Sequence, residues 1–68
     1  MMEIQERFRV NIVKSRKIRG WSQKRLADES KIDRSHISNI ETGKSSPSLQ
    51  IAERIAIALK CDFSELIE

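Results

Sequence analysis

The chain has 68 residues, a net charge of +3, 38% hydrophobic and 34% charged residues, enough for one hydrophobic core but not for a second domain. Its apolar stretches, Val10 to Val13 and Ile55 to Leu59, are too short for a transmembrane helix or a signal peptide, and its even mixture of apolar and charged residues excludes a disordered tail. A lone cysteine, Cys61, and a lone histidine, His36, exclude an internal disulfide and a zinc site and point to a reducing, cytoplasmic setting.

Two glycines, one proline and 4% aromatics leave few strand or turn signals, and the chain reads as all-α. The first helix is predicted from about Glu3 to Arg19, with Ile4, Phe8, Ile12 and then Ser15 and Arg16 as an inward stripe. Gly20 ends it where a left-handed residue is wanted. Ser22 caps a second helix over Gln23 to Ser30, with Leu26 and Ala27 inward and Trp21 as a lid on the core. Asp33 is the next capping residue and opens a short third helix from Arg34 to Glu41, with Ile37 and Ile40 inward. Thr42 to Pro47 forms a loop in which Gly43 is available for positive φ and Pro47 suits the first turn of a fourth helix. There Leu49, Ala52, Ile55, Ala56 and Leu59 share an arc of about 120°. A last helical turn starts at Asp62 or Ser64 and carries Phe63, Leu66 and Ile67.

With Gln23 as the first position, Ala27 is fifth, Ile32 tenth, Ile37 fifteenth and Ile40 eighteenth. That spacing suits two short helices joined by a tight turn, with a small residue where the axes approach and apolar residues fixing the angle. The second helix of such a pair projects its N-terminal residues at a width that fits the major groove of B-form DNA. Arg16, Gly20-Trp21-Ser22-Gln23 with Leu26-Ala27, the run from Ile37 to Lys44, Pro47-Ser48-Leu49 and the run from Ile55 to Leu59 follow in order. On these segments the sequence resembles the Cro and phage-repressor helix-turn-helix family, also called XRE-like or lambda-repressor-like, over nearly its whole length. The resemblance implies a compact five-helix bundle, residues 1–68 acting as one DNA-binding domain with the second and third helices as its reading pair. The sequence departs from the family at Lys31, where glycine is usual. Lysine at positive φ costs on the order of 1 kcal/mol, so either the turn is reshaped, the favoured reading, or the strain is accepted and Lys31 serves the charged surface.

Charge is distributed unevenly: residues 7–34 hold ten basic and three acidic residues, residues 35–68 three basic and five acidic. One surface is thereby suited to a polyanion. The second helix carries Lys24 and Arg25 in its first turn and Asp28 and Glu29 in its last, against its own dipole. Lys24–Asp28 and Arg25–Glu29 pairs in this orientation contribute only about a few tenths of a kcal/mol. A phosphate at the helix N-terminus accounts for the cations better, with Ser22, Gln23, Lys24 and Arg25 as candidate contacts. The resemblance gives Gln23 a DNA-backbone contact and places Arg34, Ser35 and Asn39, with Ser38 alongside, at the base-reading positions. Arg34 leads these, because a guanidinium at the start of a recognition helix can bond both O6 and N7 of guanine. Asn39 reads adenine or binds phosphate; His36 binds phosphate when protonated or is simply a neutral side chain on an exposed flank. Thr42, Lys44 and Ser45 lie where the family makes further phosphate contacts, a solvated surface position being the alternative for Lys44. The family also pairs an arginine of the first helix with a glutamate ending the recognition helix, which makes Arg16 and Glu41 a partly buried structural ion pair.

One helix-turn-helix covers few base pairs, so a homodimer on a pseudo-palindromic site is expected. Ile57, Cys61, Phe63, Leu66 and Ile67 are the candidate interface, with Phe63 and Leu66 also able to fill the monomer core. The expected function is a stand-alone, sequence-specific regulator of transcription, such as a restriction-modification controller or small autoregulator, with double-stranded DNA and a second copy as partners. No attached effector domain is expected, and a ligand-sensing repressor is accordingly disfavoured. The alternative is an antitoxin-type module that caps a partner protein, with DNA binding secondary. No carboxylate pair, nucleophile with base, metal cluster or phosphate-cradling glycine loop supports an enzyme, and no cofactor or metal is expected.

Overall fold

In the computed structural model, which describes residues 2–68, the helical periodicity becomes α1 (Ile4–Ile18), α2 (Gln23–Ser30), α3 (Arg34–Glu41), α4 (Leu49–Ala58) and α5 (Phe63–Leu66), with no strand among the described residues. Side chains cap two of the starts. Ser22 Oγ accepts from the Arg25 N–H at 3.0 Å, and Ser48 Oγ from the Ile51 N–H at 3.1 Å, each satisfying a donor that the helix leaves free. At the start of α5 the Glu65 carboxylate accepts the Asp62 N–H at 3.0 Å. Asp33 stands at the cap position of α3, but its side chain makes no capping bond.

The first four helices end in one way. Gly20, Lys31, Gly43 and Lys60 all have positive φ, and the next N–H in each case returns to the carbonyl five residues before it. These bonds are Trp21 to Arg16 at 2.9 Å, Ile32 to Ala27 at 3.0 Å, Lys44 to Asn39 at 2.8 Å and Cys61 to Ala56 at 3.0 Å. This closure fills carbonyls that a helix end leaves open, and in three cases the residue after it packs on the core: Trp21, Ile32 and Cys61. Lys31 has φ 58° and ψ 43°, so the turn keeps the left-handed geometry and accepts the lysine rather than being reshaped around it.

The core draws on every helix: Phe8 and Ile12 of α1, Leu26 and Ala27 of α2, Ile37 and Ile40 of α3, Ala52, Ile55 and Ala56 of α4, and Leu66 of α5, joined by Ile32 and Leu59 from the turns. The four helix-turn-helix spacing positions, Ala27, Ile32, Ile37 and Ile40, are all buried. Two expected core residues are not. Ile4 is 52% exposed and Leu49 82% exposed. Each is the first residue of its helix, and helical side chains lean toward the N-terminus, so both project past the end of the packed region. Pro47 lies outside α4, because Ser48 takes the capping position. Ile4, Pro47, Leu49, Phe63 and Ile67 instead line a shallow apolar groove of about 160 Å³. Leu66, expected at a subunit interface, is buried in the monomer core, since the inward side of so short a helix has no other large apolar residue to offer. Phe63 is partly exposed and meets Phe8 with ring centroids 5.9 Å apart.

Candidate nucleic-acid interface

A buried carboxylate organises the reading pair. Arg16 Nε donates to Glu41 Oε2 at 2.9 Å and Nη2 to Oε1 at 3.0 Å, while Gln23 Nε2 donates to Oε1 at 2.9 Å. The Arg16 and Glu41 side chains are only 11% and 4% exposed. Arg16 Nη1 also donates to the Trp21 carbonyl at 2.8 Å. One glutamate thus ties α1, the start of α2 and the end of α3 together, with each oxygen bonded. The geometry is bidentate and dry, the arrangement in which removing one partner is most damaging.

The Gln23–Glu41 bond also brings the beginning of α2, with Ser22 to Arg25, next to the end of α3, which Thr42 to Ser45 follow in the chain. Within the first group, Lys24 pairs with Asp28 and Arg25 with Glu29, each at 3.0 Å and well exposed. The i,i+4 pairs are therefore formed. Such exposed pairs contribute only about 0–1 kcal/mol and leave their cations open to exchange onto a phosphate. Arg25 also lies 4.7 Å above the centroid of Trp21, which holds the guanidinium near the helix start. In the second group, Thr42 Oγ1 already donates to the Ser38 carbonyl at 2.9 Å, Lys44 is exposed and Ser45 half-buried.

On α3, Arg34, Ser35 and Asn39 are exposed and Ser38 and His36 half-buried. Ile37 and Ile40 anchor the opposite face at 0% and 1% exposure. Among the described residues, no side-chain hydrogen bond or ion pair occupies Arg34, Ser35, His36, Ser38 or Asn39, in contrast to Arg16, Gln23, Lys24 and Arg25. A helix rigid on one face and chemically unspent on the other is what groove reading requires. Among the described residues no group of three metal-ligating side chains occurs and no helix is long and apolar enough to cross a membrane.

Of the candidate self-association residues, Ile57 is 68% exposed, Cys61 and Ile67 are half-buried, and Leu66 faces inward. Leu49, one residue the sequence pattern assigned to the core, is exposed on the same side of the molecule: Leu49, Glu53 and Ile57 stand at four-residue intervals on α4, and Leu49 and Glu53 border Phe63. A row of i, i+4 and i+8 residues offset from the core stripe was the available signal. Arg9 and Arg54, absent from every motif, also emerge. Arg9 lies beside Gly43, and Arg54 holds the end of α2 through the carbonyls of Ser30 and Lys31.

Two helices locked at a buried hinge, with an open polar face on the second, define a helix-turn-helix domain of the lambda-repressor-like fold. The chain belongs to the helix-turn-helix family, HTH_3, which matches residues 12–66. The family is one of non-enzymatic transcription regulators. A competence pilus inhibition repressor of Acinetobacter baylyi is 43% identical over 51 residues, 75% of this chain. The chain spans 46% of that relative's length. Among solved structures, the restriction-modification controller protein C.AhdI from Aeromonas hydrophila superposes with a TM-score of 0.86 at 32% identity, covering 91% of this chain and 94% of the other. The hypothetical transcription factor NHTF from Neisseria gives a TM-score of 0.91 at 27% identity, covering 97% of this chain and 76% of the other.

Proposed function

We propose that residues 1–68 act as one DNA-binding domain that pairs with a second copy on a pseudo-palindromic operator and regulates transcription there, as a restriction-modification controller or small autoregulator would. The observation that carries this reading is the unspent outer face of α3, where Arg34, Ser35 and Asn39 are exposed and make no side-chain bond among the described residues. Arg34 reads guanine, Ser35, Ser38 and Asn39 complete the base contacts, and Ser22, Gln23, Lys24 and Arg25 on one side with His36, Thr42, Lys44 and Ser45 on the other take the backbone. Thr42 accepts this role by giving up its bond to the Ser38 carbonyl. Likeness to the controller C.AhdI over nearly the full length of both chains supports the controller assignment. The second copy docks through Ile57, Phe63 and Ile67, with Leu49 added and Cys61 at the edge.

The test is selection of bound duplexes from a random pool, followed by sequencing. Paired inverted half-sites are expected, with log affinity falling against log salt at a slope of about −7 to −9 for roughly eight to ten phosphate contacts. Retention without sequence enrichment would defeat the reading and favour a module that acts through a partner protein.

A further inference from the structure

Beyond the loop after α3 the polar surface continues into a cleft of about 280 Å³, between the first half of α1 and the chain leading to α4, bordered by Glu6, Arg9, Thr42, Gly43, Ser45 and Ser46. Arg9 is half-buried and leans on the loop: a Cβ at Gly43 would lie 3.6 Å from its Nε. Among the described residues its guanidinium has no hydrogen bond and no ion pair. Ser45 Oγ is shielded from solvent and also lacks a partner. Three of the loop's backbone donors are committed, since the Lys44 and Ser45 N–H groups both reach the Asn39 carbonyl and the Gly43 N–H reaches Ile40. A held cation and an unsatisfied hydroxyl therefore stand at one opening. Buried polar groups are normally paired, and an unpaired one calls for a ligand or a reason.

We propose that this cleft receives a backbone phosphate of the DNA, flanking the bases read by α3, with Arg9 as its cation and Ser45 as its neutral donor. The proposal rests on the DNA-binding reading above and extends it to α1. A guanidinium offers several N–H donors to phosphate oxygens without change of protonation. Oxyanion chemistry alone would also suit a free polyphosphate. Continuity decides for the duplex, because Thr42 and Ser45 border both the cleft and the backbone-facing strip. Glu6 is the one carboxylate on the border and opposes the phosphate, so its removal favours binding.

The experiment measures affinity for a mixed-sequence duplex across a salt series, for the wild type, Arg9→Ala, Arg9→Lys and Glu6→Gln, with the thermal midpoint of each. Arg9→Ala is expected to fold with the wild-type midpoint and to make the salt slope shallower by about 0.9 per bound protomer. Arg9→Lys keeps the slope, and Glu6→Gln raises affinity. Opposite effects of two variants one helical turn apart would not arise from damage to the fold. A wild-type salt dependence that Arg9→Ala leaves intact overturns the proposal while sparing the DNA-binding reading; a wild type without salt dependence overturns both. If sodium pyrophosphate binds the wild type and not Arg9→Ala, and the duplex slope is the same for both, the cleft serves a free phosphate ligand and the DNA assignment falls.

Discussion

Arg54 of α4 secures Lys31, the strained residue at the turn of the reading pair, by donating from Nη2 to the Lys31 carbonyl while its Nε donates to the Ser30 carbonyl at 3.2 Å. Both carbonyls lie at the end of α2, where backbone acceptors are left open and a cation meets the negative end of the helix dipole. The angle between α2 and α3 is thus braced from outside as well as by Ile32 within the core. Because Arg54 is exposed, the net loss in Arg54→Ala is expected at about 1 kcal/mol. A drop of roughly 4–8 °C in the thermal midpoint corresponds to that loss in a domain of this size. An unchanged midpoint would mean that solvent replaces both bonds.

Lys31→Gly is expected to act in the opposite direction. Glycine reaches φ 58° without the clash that a Cβ brings, and the carbonyl that Arg54 holds is retained. The gain is at most about 1 kcal/mol, reduced by the larger unfolded-state entropy of glycine. Thermal denaturation of the variant beside the wild type measures it, and a lower midpoint would contradict strain at this position.

Helix count and order were legible in the sequence because capping residues and apolar spacing agree: Ser22 before Leu26 and Ala27, and Asp33 before Ile37 and Ile40. What periodicity does not carry is where a helix outruns the core, which is why Ile4 and Leu49 match the inward stripe yet lie in solvent. The left-handed end at Lys60 was similarly obscured, and at Lys31 the family pattern raised positive φ but a reshaped turn was favoured, since the usual signal is glycine and here the closing bond and the apolar residue after it set the conformation. At the site, the Arg16–Glu41 pair followed from the family pattern, whereas Arg9 and Arg54 act through loops and helix ends distant in sequence. No local spacing encodes such contacts.

Glu41→Ala is expected to be the most damaging single change at the interface. It leaves Arg16 buried without its counter-ion and frees the Gln23 amide, and breaking such a pair costs about 3–5 kcal/mol. A small domain has little more stability than that, so the variant should be partly unfolded at room temperature by circular dichroism. Glu41→Gln, which keeps the shape and one acceptor oxygen, should retain the fold with a lowered midpoint. Equal midpoints for wild type and Glu41→Ala would show that water takes over the carboxylate's role.

Arg34→Ala should affect recognition and leave stability alone, because its side chain makes no bond among the described residues and sits on the exposed face of α3. Removal of a two-bond contact to guanine relaxes discrimination at one base position by about 1–3 kcal/mol. Competition between the selected operator and a duplex substituted at each position in turn measures this. A uniform loss across all positions would instead make Arg34 a phosphate contact.

Ile57→Asp and Leu66→Ala separate the proposed self-association surface from the core that adjoins it. Ile57 is exposed on α4 while Leu66 is enclosed by the other helices. A charge at position 57 should therefore abolish pairing and leave the monomer fold intact, seen as a shift from dimer to monomer in sedimentation with an unchanged helical spectrum. Truncation of Leu66 leaves a cavity and should lower monomer stability by about 2–5 kcal/mol, reducing pairing only to the extent that the fold is lost. A dimer that survives Ile57→Asp would move the contact off this face of α4, and operator binding by that variant at wild-type affinity would remove the need for pairing altogether.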